Sequence, residues 1–365
     1  MKSVRCLLAL AGLAGLASPA LALERLDAPL KVFQFPADQI PRIDGNADDW
    51  AMVPDSYAIG TDQLRADNNA DRHPDPQSLK GTVKVGWVKG LNRLYFLYQA
   101  YDNYWDFGVP SLHNDTFELI VDGDASGGPL IAEDRVGSEI SKILPRWDAW
   151  FAFQGTQAQN YHIFTPHENK DWCMAWSAGQ WVKELPYANH AQSYNFRPGE
   201  AGNYTLEFWI TPFDYAGAEG PPRAVESKLF ENKIIGLAWV VIDYDNASST
   251  SNNGFWNLTG NHTVYGNASQ LVAFKLMPLE PQFVKKLDAR WSFKIVDMDR
   301  RLVAFKDESV GNFTSWKWDF GDQTTSTEQN PIHAFKNPGN YVVTLYVDGP
   351  DGPSHFTRVW DVTLK

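Results

Sequence analysis

Oxygen-bearing side chains alternate with small residues in one short stretch of the chain that reads DGDASGG. Asp122, Asp124 and Ser126 place two carboxylates and a hydroxyl at every second position of this glycine-rich turn. Oxygen ligands in such a turn suit Ca²⁺. The spacing therefore predicts a calcium site, with an ordinary Asp and Gly turn as the alternative. Residues 67–71 show the same alternation, but Arg72 follows where a calcium loop has glycine.

Motifs for catalysis are missing from the sequence. His162 and the pair His167-Glu168 lie close together but do not have the H-E-x-x-H spacing of a zinc protease. No G-x-S-x-G, P-loop or dinucleotide fingerprint is present. Glu118 and Glu207 could in principle act as the acid and base of a glycoside hydrolase, but nothing marks them as a pair. We therefore predict a non-catalytic protein and keep a hydrolase as an alternative.

Aromatic residues are frequent in this chain. Its 365 residues include 15 Trp, 14 Tyr and 21 Phe, which together make 14% of the total. Such rings fill sandwich cores and also offer flat faces to ligands. Of the two cysteines, Cys6 lies in a leader segment, so Cys173 is expected to be a small core residue rather than half of a disulfide.

The first 22 residues have the three parts of a secretory signal peptide. Lys2 and Arg5 supply positive charge, residues 7–16 are apolar, and residues 20–22 read ALA, which fits a cleavage site. The apolar run is too short to span a bilayer. We predict that residues 1–22 are a signal peptide, that the mature chain has no transmembrane segment, and that the protein is secreted or periplasmic.

The charge of the chain is acidic. The net charge is −12 and becomes −14 once Lys2 and Arg5 leave with the leader. An acidic chain repels phosphate backbones and offers no basic patch to anionic lipid. Nucleic acid is therefore excluded from the predicted partners.

Hydrophobic and polar residues alternate along most of the chain, which predicts β-strands. The alternating sets are Val83, Val85 and Trp87; Leu94, Phe96 and Tyr98; Phe117, Leu119 and Val121; and Tyr204, Leu206, Phe208 and Ile210. Residues 277–281 read MPLEP, and proline cannot donate to a ladder, so a domain junction is expected there. The pattern predicts an all-β fold of two tandem β-sandwiches, with short helices near residues 133–144 and 224–232.

Four linked motifs occupy the C-terminal part of the chain. They are WKWDFGD at residues 316–322, NPIHAF at 330–335, NPGNY at 337–341 and an alternating strand at 342–347. Their order resembles the PKD domain, an immunoglobulin-like β-sandwich, over residues 287–365. The resemblance implies a spacer or interaction module in which Trp318 and Tyr341 pack between sheets. Gln323 replaces the family's usual glycine, and a ligand platform at Trp316 or Trp318 is the alternative role.

Segments of the N-terminal part resemble the carbohydrate-binding module of family 9 and its DOMON-like relatives. The segments are PRIDGNADDW at residues 41–50, VGW at 85–87, LYFL at 94–97, NDTFELIVD at 114–122, GNYTLE at 202–207, IDYD at 242–245 and NNGFW at 252–256. Their order implies a larger β-sandwich over residues 30–280 that precedes the PKD-like domain.

The family 9 resemblance implies a carbohydrate or other polar ligand held between two aromatic rings. Ring faces stack on sugar C–H groups, while sugar hydroxyls need polar partners. At the family's site positions this chain has Trp256 as one ring, Asn253 as a polar neighbour and Glu118 as an acceptor. The second ring falls on Leu112 and another polar position on Val240. Trp105 is added to the predicted site, and the other rings that could restore an aromatic face are Trp147, Trp150, Trp172, Trp176 and Trp181.

Two further classes stay open. Some DOMON-like relatives hold haem, whose iron would need His or Met ligands, and the candidates are His162, Met52 and Met174. The chain could alternatively be a surface structural or adhesion protein without a small ligand. Calcium at Asp122, Asp124 and Ser126 is the cofactor that the residues themselves indicate.

Overall fold

The computed structural model describes residues 23–67, 69–109, 112–128, 155–176, 179–283, 288–311, 313–349 and 352–364. Within these ranges the chain forms strands and short 3-10 helices, which confirms the predicted all-β fold. The predicted leader and the predicted helix near residues 133–144 lie outside the described residues.

The strands are β1 (Leu30–Phe35), β2 (Ile59–Gly60), β3 (Arg65–Ala66), β4 (Leu79–Val88), β5 (Leu94–Asp102), β6 (Thr116–Asp122), β7 (Gln159–Phe164), β8 (Cys173–Ala175), β9 (Ala188–Ser193), β10 (Gly202–Ile210), β11 (Phe213–Tyr215), β12 (Val225–Glu226), β13 (Ile234–Asp243), β14 (Gly254–Asn257), β15 (Val272–Leu276), β16 (Trp291–Asp297), β17 (Leu302–Asp307), β18 (Ser315–Asp319), β19 (Thr325–Ser326), β20 (Ile332–Ala334), β21 (Gly339–Asp348) and β22 (Ser354–Leu364). The 3-10 helices are Ala47–Trp50, Asp55–Tyr57, Thr61–Gln63, Gln180–Lys183, Pro221–Arg223, His262–Gly266, Ala268–Gln270 and Pro281–Phe283.

One sheet of 13 described strands builds the N-terminal sandwich. Its main path runs β8-β7-β6-β13-β15-β1-β4-β5-β10-β9, with β14, β3 and β2 attached at the sides. Strand β1 divides this path into two layers, because residues 30–32 pair in parallel with β15 and residues 33–35 pair in parallel with β4. We call the layer with β6 and β13 the first layer and the layer with β5 and β10 the second layer.

The two layers share one apolar core. The alternating set Phe117, Leu119 and Val121 of the first layer is buried in it, as predicted. Phe117 lies 6.1 Å, between ring centroids, from Phe208 of the second layer, and Phe208 stacks on Phe96 at 4.7 Å. Burying each such side chain stabilises the fold by roughly 1.5–3 kcal/mol.

The segment at residues 41–50 folds over the outer face of the second layer and is held there by Glu207 of β10. One carboxylate oxygen accepts from the Gly45 amide at 2.8 Å, and the other accepts from the Trp50 indole at 2.9 Å. Gly45 has a φ of 82°, and a side chain there would lie 3.0 Å from the Gln192 backbone. Glycine is therefore required at this turn, and the IDG…W pattern has a structural role in holding this segment on the sheet.

The C-terminal part forms a second, smaller sandwich from the sheets β16-β17-β20 and β19-β18-β21-β22. Trp318 is buried between them and donates its indole N–H to the Glu328 carbonyl at 2.9 Å. Tyr341 packs on Phe335 with ring centroids 4.2 Å apart. Trp318 therefore occupies the core position that the PKD resemblance implied, whereas Tyr341 is partly buried and packs against the edge of this core.

The turn after Trp318 uses the aspartates of the WDFGD motif. The Asp319 carboxylate accepts from the Gly321 amide at 2.9 Å, and the Asp322 carboxylate accepts from the Thr324 amide at 3.0 Å. Gln323 has a φ of 71°, in the left-handed region that favours glycine. Gln323 therefore adopts a backbone conformation that glycine would adopt more easily.

Three sequence predictions concern the connections between elements. The helix near residues 224–232 is wrong: Val225–Glu226 form β12, which pairs with β11. The predicted junction at residues 277–281 lies after β15, which ends at Leu276, and before β16, which begins at Trp291. No helix in the described part of the chain is long and apolar enough to cross a bilayer.

Candidate functional site

The register of the first layer separates two residues that the family 9 resemblance placed together. Val240 of β13 pairs with Glu118 on one side and Asn257 on the other, whereas its neighbour Val241 pairs with Phe117 and Trp256. Successive strand residues point to opposite faces of a sheet. Trp256 therefore faces the core between the layers, and Glu118 lies on the outer face.

Trp256 is a core side chain rather than an open platform, which corrects the expectation for this ring. It is 4% exposed, and its indole N–H donates to the Asp243 carboxylate at 3.2 Å. The Arg72 guanidinium lies 5.0 Å from its ring centroid. Trp105 is also buried at 1% exposure and stacks on Phe196 at 5.2 Å.

The remaining predicted rings and positions are dispersed. Trp172 stacks on His190 at 4.5 Å, and Trp181 packs on Phe213 at 5.1 Å. Leu112 is 46% exposed, and Val240 is buried in an apolar cluster on the outer face of the first layer. Trp147 and Trp150 lie outside the described residues.

A polar cluster surrounds Glu118 on the outer face of the first layer. We define the Glu118 cluster as Thr116, Glu118, Asn160 and His162. The Asn160 amide donates to one oxygen of Glu118 at 2.9 Å, and a ring nitrogen of His162 lies 3.4 Å from the other oxygen. The second ring nitrogen of His162 lies 3.4 Å from the Thr116 hydroxyl. The Asn160 side-chain oxygen is buried and has no hydrogen-bond partner, so an acceptor is left over in this cluster.

Aromatic rings border the Glu118 cluster. His162 contacts the rings of Phe164 at 5.2 Å and Trp176 at 5.7 Å. Burial, and then the Glu118 charge, raise the pKa of Tyr265. Phe255 lies on the same face, because it pairs with Ile242 next to Val240. Partly exposed rings and buried polar groups are therefore combined on this face.

Sequence reasoning missed Asn160, and it named His162 only as a candidate for other roles and Trp176 only among several candidate rings. The signal was present in β7, where Asn160, His162 and Phe164 alternate with Tyr161 and Ile163. Both faces of β7 are buried, and Asn160 and His162 share the outer one, whereas Gln159 has the parity of the inner residues Tyr161 and Ile163. Only the pairing of β7 with β6 places them beside Glu118.

Two alternative chemistries can be compared with this geometry. Glu207 lies on the outer face of the second layer, on the opposite side of the sandwich from Glu118, so these two carboxylates cannot flank one glycosidic bond. Both ring nitrogens of His162 have partners within the Glu118 cluster, and Met52 packs on the opposite layer. Met174 of β8 pairs with His162 of β7, so these two predicted haem ligands are neighbours, whereas Met52 lies on the other layer. Haem at these residues stays a prediction.

A second polar cluster lies where strands of both layers end. Asp102 ends β5 and Asp243 ends β13. Together with Asp245 they offer carboxylate oxygens that all lie within 4.8 Å of one another. Asp115 lies beside them, and its two oxygens accept from the backbone amides of Tyr244 at 2.8 Å and Asp106 at 2.7 Å. We call Asp102, Asp115, Asp243 and Asp245 the strand-end aspartates.

Crowding and burial disfavour negative charge on the strand-end aspartates. Burial, and then the charge of Asp243, raise the pKa of Asp102 to about 8. Burial, and then Asp245, raise the pKa of Asp243 to about 6. Burial and the Asp102 charge raise the pKa of Asp115 well above its ordinary value.

Asn253 belongs to this second cluster and not to the Glu118 cluster. Its side-chain oxygen accepts from the Asp245 amide at 2.9 Å, and its own amide donates to the Asp243 carbonyl at 2.7 Å. Its carbonyl accepts from Arg72 at 3.3 Å. The residue therefore closes the loop between β13 and β14.

The turn predicted to bind calcium engages its oxygens with its own backbone. The two oxygens of Asp122 accept from the Ser126 amide at 3.3 Å and the Gly127 amide at 2.8 Å. Asp124 accepts from the Ser126 amide at 3.1 Å. Burial, and then the hydrogen bond to Asp124, raise the pKa of Asp122 to about 7. Calcium at Asp122, Asp124 and Ser126 stays a prediction, and this geometry is that of a self-satisfied turn.

Comparison with known proteins identifies the C-terminal module. The sequence model of the PKD domain family matches residues 300–364, so this part of the chain is a PKD domain, as predicted. Collagenase ColQ1 of Bacillus cereus (strain Q1) is 49% identical over 60 residues, which is 16% of this chain and 6% of the collagenase. Pre-pro-metalloprotease PrtV of Vibrio cholerae is 36% identical over 66 residues, 18% of this chain and 7% of PrtV. The chain thus spans only 6–7% of the length of these relatives.

Solved structures similar to the chain cover both parts of it. A family 9 carbohydrate-binding module from Caldicellulosiruptor kristjanssonii, in complex with cellotriose, is 14% identical with a TM-score of 0.43 and covers 70% of this chain and 97% of that module. The PKD1 domain of the Vibrio cholerae metalloprotease PrtV is 33% identical with a TM-score of 0.18 and covers 19% of this chain and 86% of that domain. The two-sandwich architecture follows from the strands and their register described above.

Proposed function

We propose that the N-terminal sandwich binds carbohydrate on the outer face of its first layer, at the Glu118 cluster, and that the protein is a non-catalytic binding protein. One observation carries this proposal: a hydrogen-bonded Glu118, Asn160 and His162 lie among aromatic rings on one face. Carboxylate and amide groups can bond sugar hydroxyls, and rings can stack on sugar C–H faces. The unpartnered Asn160 oxygen supplies an acceptor for a ligand hydroxyl.

The family 9 resemblance supports the ligand class but not the residues that it implied. The site proposed here keeps Glu118 and replaces Trp256 and Asn253 by Asn160, His162 and Trp176. The module from Caldicellulosiruptor kristjanssonii was solved with cellotriose and with glucose, which makes these two sugars the first probes. Calorimetric titration of the whole protein, together with retention on insoluble polysaccharides, tests the proposal.

The decisive variant is Glu118→Gln, which keeps the shape of the side chain and removes its charge. We expect a loss of affinity of about 10–100-fold, because a hydrogen bond to a charged group contributes roughly 1.5–3 kcal/mol. Glu219→Gln, at an exposed glutamate remote from β6, is the matched control and should bind like the wild type. Equal binding by both variants, or no binding by the wild type to any sugar tried, would refute the site.

We also propose that the PKD domain acts as a spacer or interaction module and not as the sugar site. Trp316 is its partly exposed ring, and its indole donates to Asp307 at 2.6 Å. A Trp316→Ala variant of the whole protein should bind soluble sugars with unchanged affinity. Loss of sugar binding in this variant would place the ligand on the PKD domain instead.

Export completes the proposal. The leader pattern, the PKD domain and the acidic charge together fit a secreted or periplasmic protein. N-terminal mass determination of the protein from a secreting host should find a chain that begins at Leu23. A chain that retains Met1 in the cytoplasm of such a host would contradict export.

A further inference from the structure

We propose that the strand-end aspartates form a calcium site that joins the ends of the two layers of the N-terminal sandwich. Asp102 comes from β5 of the second layer, while Asp243 and Asp245 come from the end of β13 in the first layer. Their carboxylate oxygens lie within 4.8 Å of one another without any bond between them. Three carboxylates at this separation repel one another, and a divalent cation between them would reverse the sign of that interaction.

Unmade hydrogen bonds at the cluster point to a missing positive partner. Asp243 is 4% exposed, and one of its oxygens is bound to Trp256 while the other has no hydrogen-bond partner. A buried oxygen of Asp245 also has none. The hydroxyl of Tyr98, on β5 like Asp102, is also buried and has no hydrogen-bond partner. A buried acceptor without a partner is unfavourable, so these atoms are expected to have a ligand.

The neighbouring cations do not balance the cluster. Arg72 acts on Asp243, and Lys170 acts on Asp115. Lys170 also acts on Asp106, so these two positive charges are outnumbered by the carboxylates around them. One divalent cation would offset part of this excess of negative charge.

The donor set selects the kind of metal. The cluster offers carboxylate oxygens and no imidazole or thiolate, which disfavours zinc and copper. Its ligands come from strand ends and a loop, and such irregular sets suit Ca²⁺, which takes six to eight oxygens at flexible angles. Mg²⁺ requires near-octahedral geometry and retains several waters. Calcium is therefore the cation that this arrangement fits best.

The chain contains its own contrast to this site. In the turn of Asp122 and Asp124, both oxygens of Asp122 and one oxygen of Asp124 accept from backbone amides, and no buried oxygen of these two residues lacks a partner. At the strand ends, Asp243 and Asp245 each keep one unpartnered oxygen. We therefore assign the cation to the strand-end aspartates and not to the turn of Asp122 and Asp124 that the sequence suggested.

A metal at this position would fix the loop between β13 and β14. Asn253 bonds the Asp245 amide, and Trp256 bonds Asp243, so both ends of the loop are tied to the cluster. The site would hold β5 to β13 across the sandwich without a covalent link. Its role is thus structural and separate from sugar binding.

The first experiment measures binding of the metal to the whole protein after treatment with a chelator. We expect Ca²⁺ at 100-fold above its Kd to raise Tm by about 5–10 °C. Tb³⁺, which uses the same oxygen ligands, should luminesce when tryptophan is excited, because the Trp256 indole is bonded to Asp243. Absence of both the Tm shift and the luminescence in the wild type would overturn the proposal.

Two variants locate the site. Asp245→Asn should abolish the calcium-dependent rise in Tm, and it should melt higher than the wild type in chelator because one repelling charge is gone. Asp124→Asn, the matched control on the other turn, should keep the full calcium response. A response lost in Asp124→Asn and kept in Asp245→Asn would move the site to residues 122–126 and refute the proposal.

Two further measurements distinguish a calcium site from a magnesium site and from the proposed carbohydrate site. An equal Tm rise with Mg²⁺ would contradict the assignment to calcium. Sugar affinity is measured in the same samples by titration, and failure of sugar binding leaves the luminescence result unaffected. The metal site and the carbohydrate site can therefore fail independently.

Discussion

The two faces of the first layer carry residues that are adjacent in sequence but belong to different parts of the protein. On the inner face, Phe117 and Trp256 fill the core, whereas on the outer face Glu118 and its polar neighbours form the candidate sugar site. The difference arises only because successive residues of a strand point to opposite faces of the sheet. A shift of one residue along the strand therefore moves a side chain from one face to the other. An aromatic residue in a ligand-binding motif is therefore informative only when its face is known.

The largest expected effect tests the inner face. Trp256→Ala should destabilise the protein by about 3–5 kcal/mol, because it empties a buried site of a large ring. Phe255→Ala, one residue away on the outer face and only partly buried, should cost about 1–2 kcal/mol. Urea unfolding of both variants measures the difference. A greater loss for Phe255→Ala would reverse the assignment of faces.

A smaller effect tests the outer face. Asn160→Ala removes the donor to Glu118 and leaves a buried carboxylate oxygen without that bond. We expect a loss of about 1–3 kcal/mol in unfolding free energy, together with weaker sugar binding. If Asn160→Ala lowers the stability but leaves the sugar affinity unchanged, the Glu118 cluster stabilises the fold and does not bind the sugar.

The pH dependence of stability tests the edge of the inner face, where His167 contacts His190 at 4.7 Å. Burial, and then the His190 charge, lower the pKa of His167 to about 4. The unfolded chain then binds more protons than the folded chain between pH 4 and 6.5, so stability is lost as pH falls through that range. His167→Gln should remove about 1 kcal/mol of this loss, after allowance for the partial exposure of the ring. Identical pH profiles for the two proteins in chemical denaturation would contradict the lowered pKa.

The smallest effect adds a ring to the outer side. Leu112 is exposed, so Leu112→Trp should change stability by less than about 0.5 kcal/mol. The family 9 resemblance implies a ring at this position, and stacking on a sugar should raise affinity about 2–10-fold. Calorimetry with cellotriose measures the gain, with Val109→Trp at another exposed position as the control. Equal gains in both variants would indicate nonspecific stacking.

The strands of the N-terminal sandwich were predictable because alternation of apolar residues is a local signal. Val83, Val85 and Trp87 show it over a long strand, and all three are buried in the core. The turn of the WDFGD motif in the PKD domain was also predictable from the sequence. Its hydrogen bonds are local, because each aspartate side chain accepts from the backbone amide two residues later.

The candidate sites were harder to predict because they depend on pairing between distant segments. Strand β14 has four residues, too few for alternation to reveal which face Trp256 occupies. Asp102 and Asp243 were each visible at the end of a strand motif, but only the fold brings them together. The turn at Asp122 showed a clearer metal-binding pattern in the sequence than the strand ends did. In the structure, however, backbone amides of the turn donate to its carboxylates.

Strand β1 imposes an order on the assembly of the first sandwich. Leu30 is paired with Phe274, so a strand near the start of this sandwich pairs with one near its end, more than 240 residues later in the sequence. Until the two strands pair, Val32 and Phe33 present apolar side chains on a strand with open backbone edges, which invites pairing with other chains. Folding of this sandwich is therefore expected to leave β1 exposed to aggregation until β15 has been made and can pair with it.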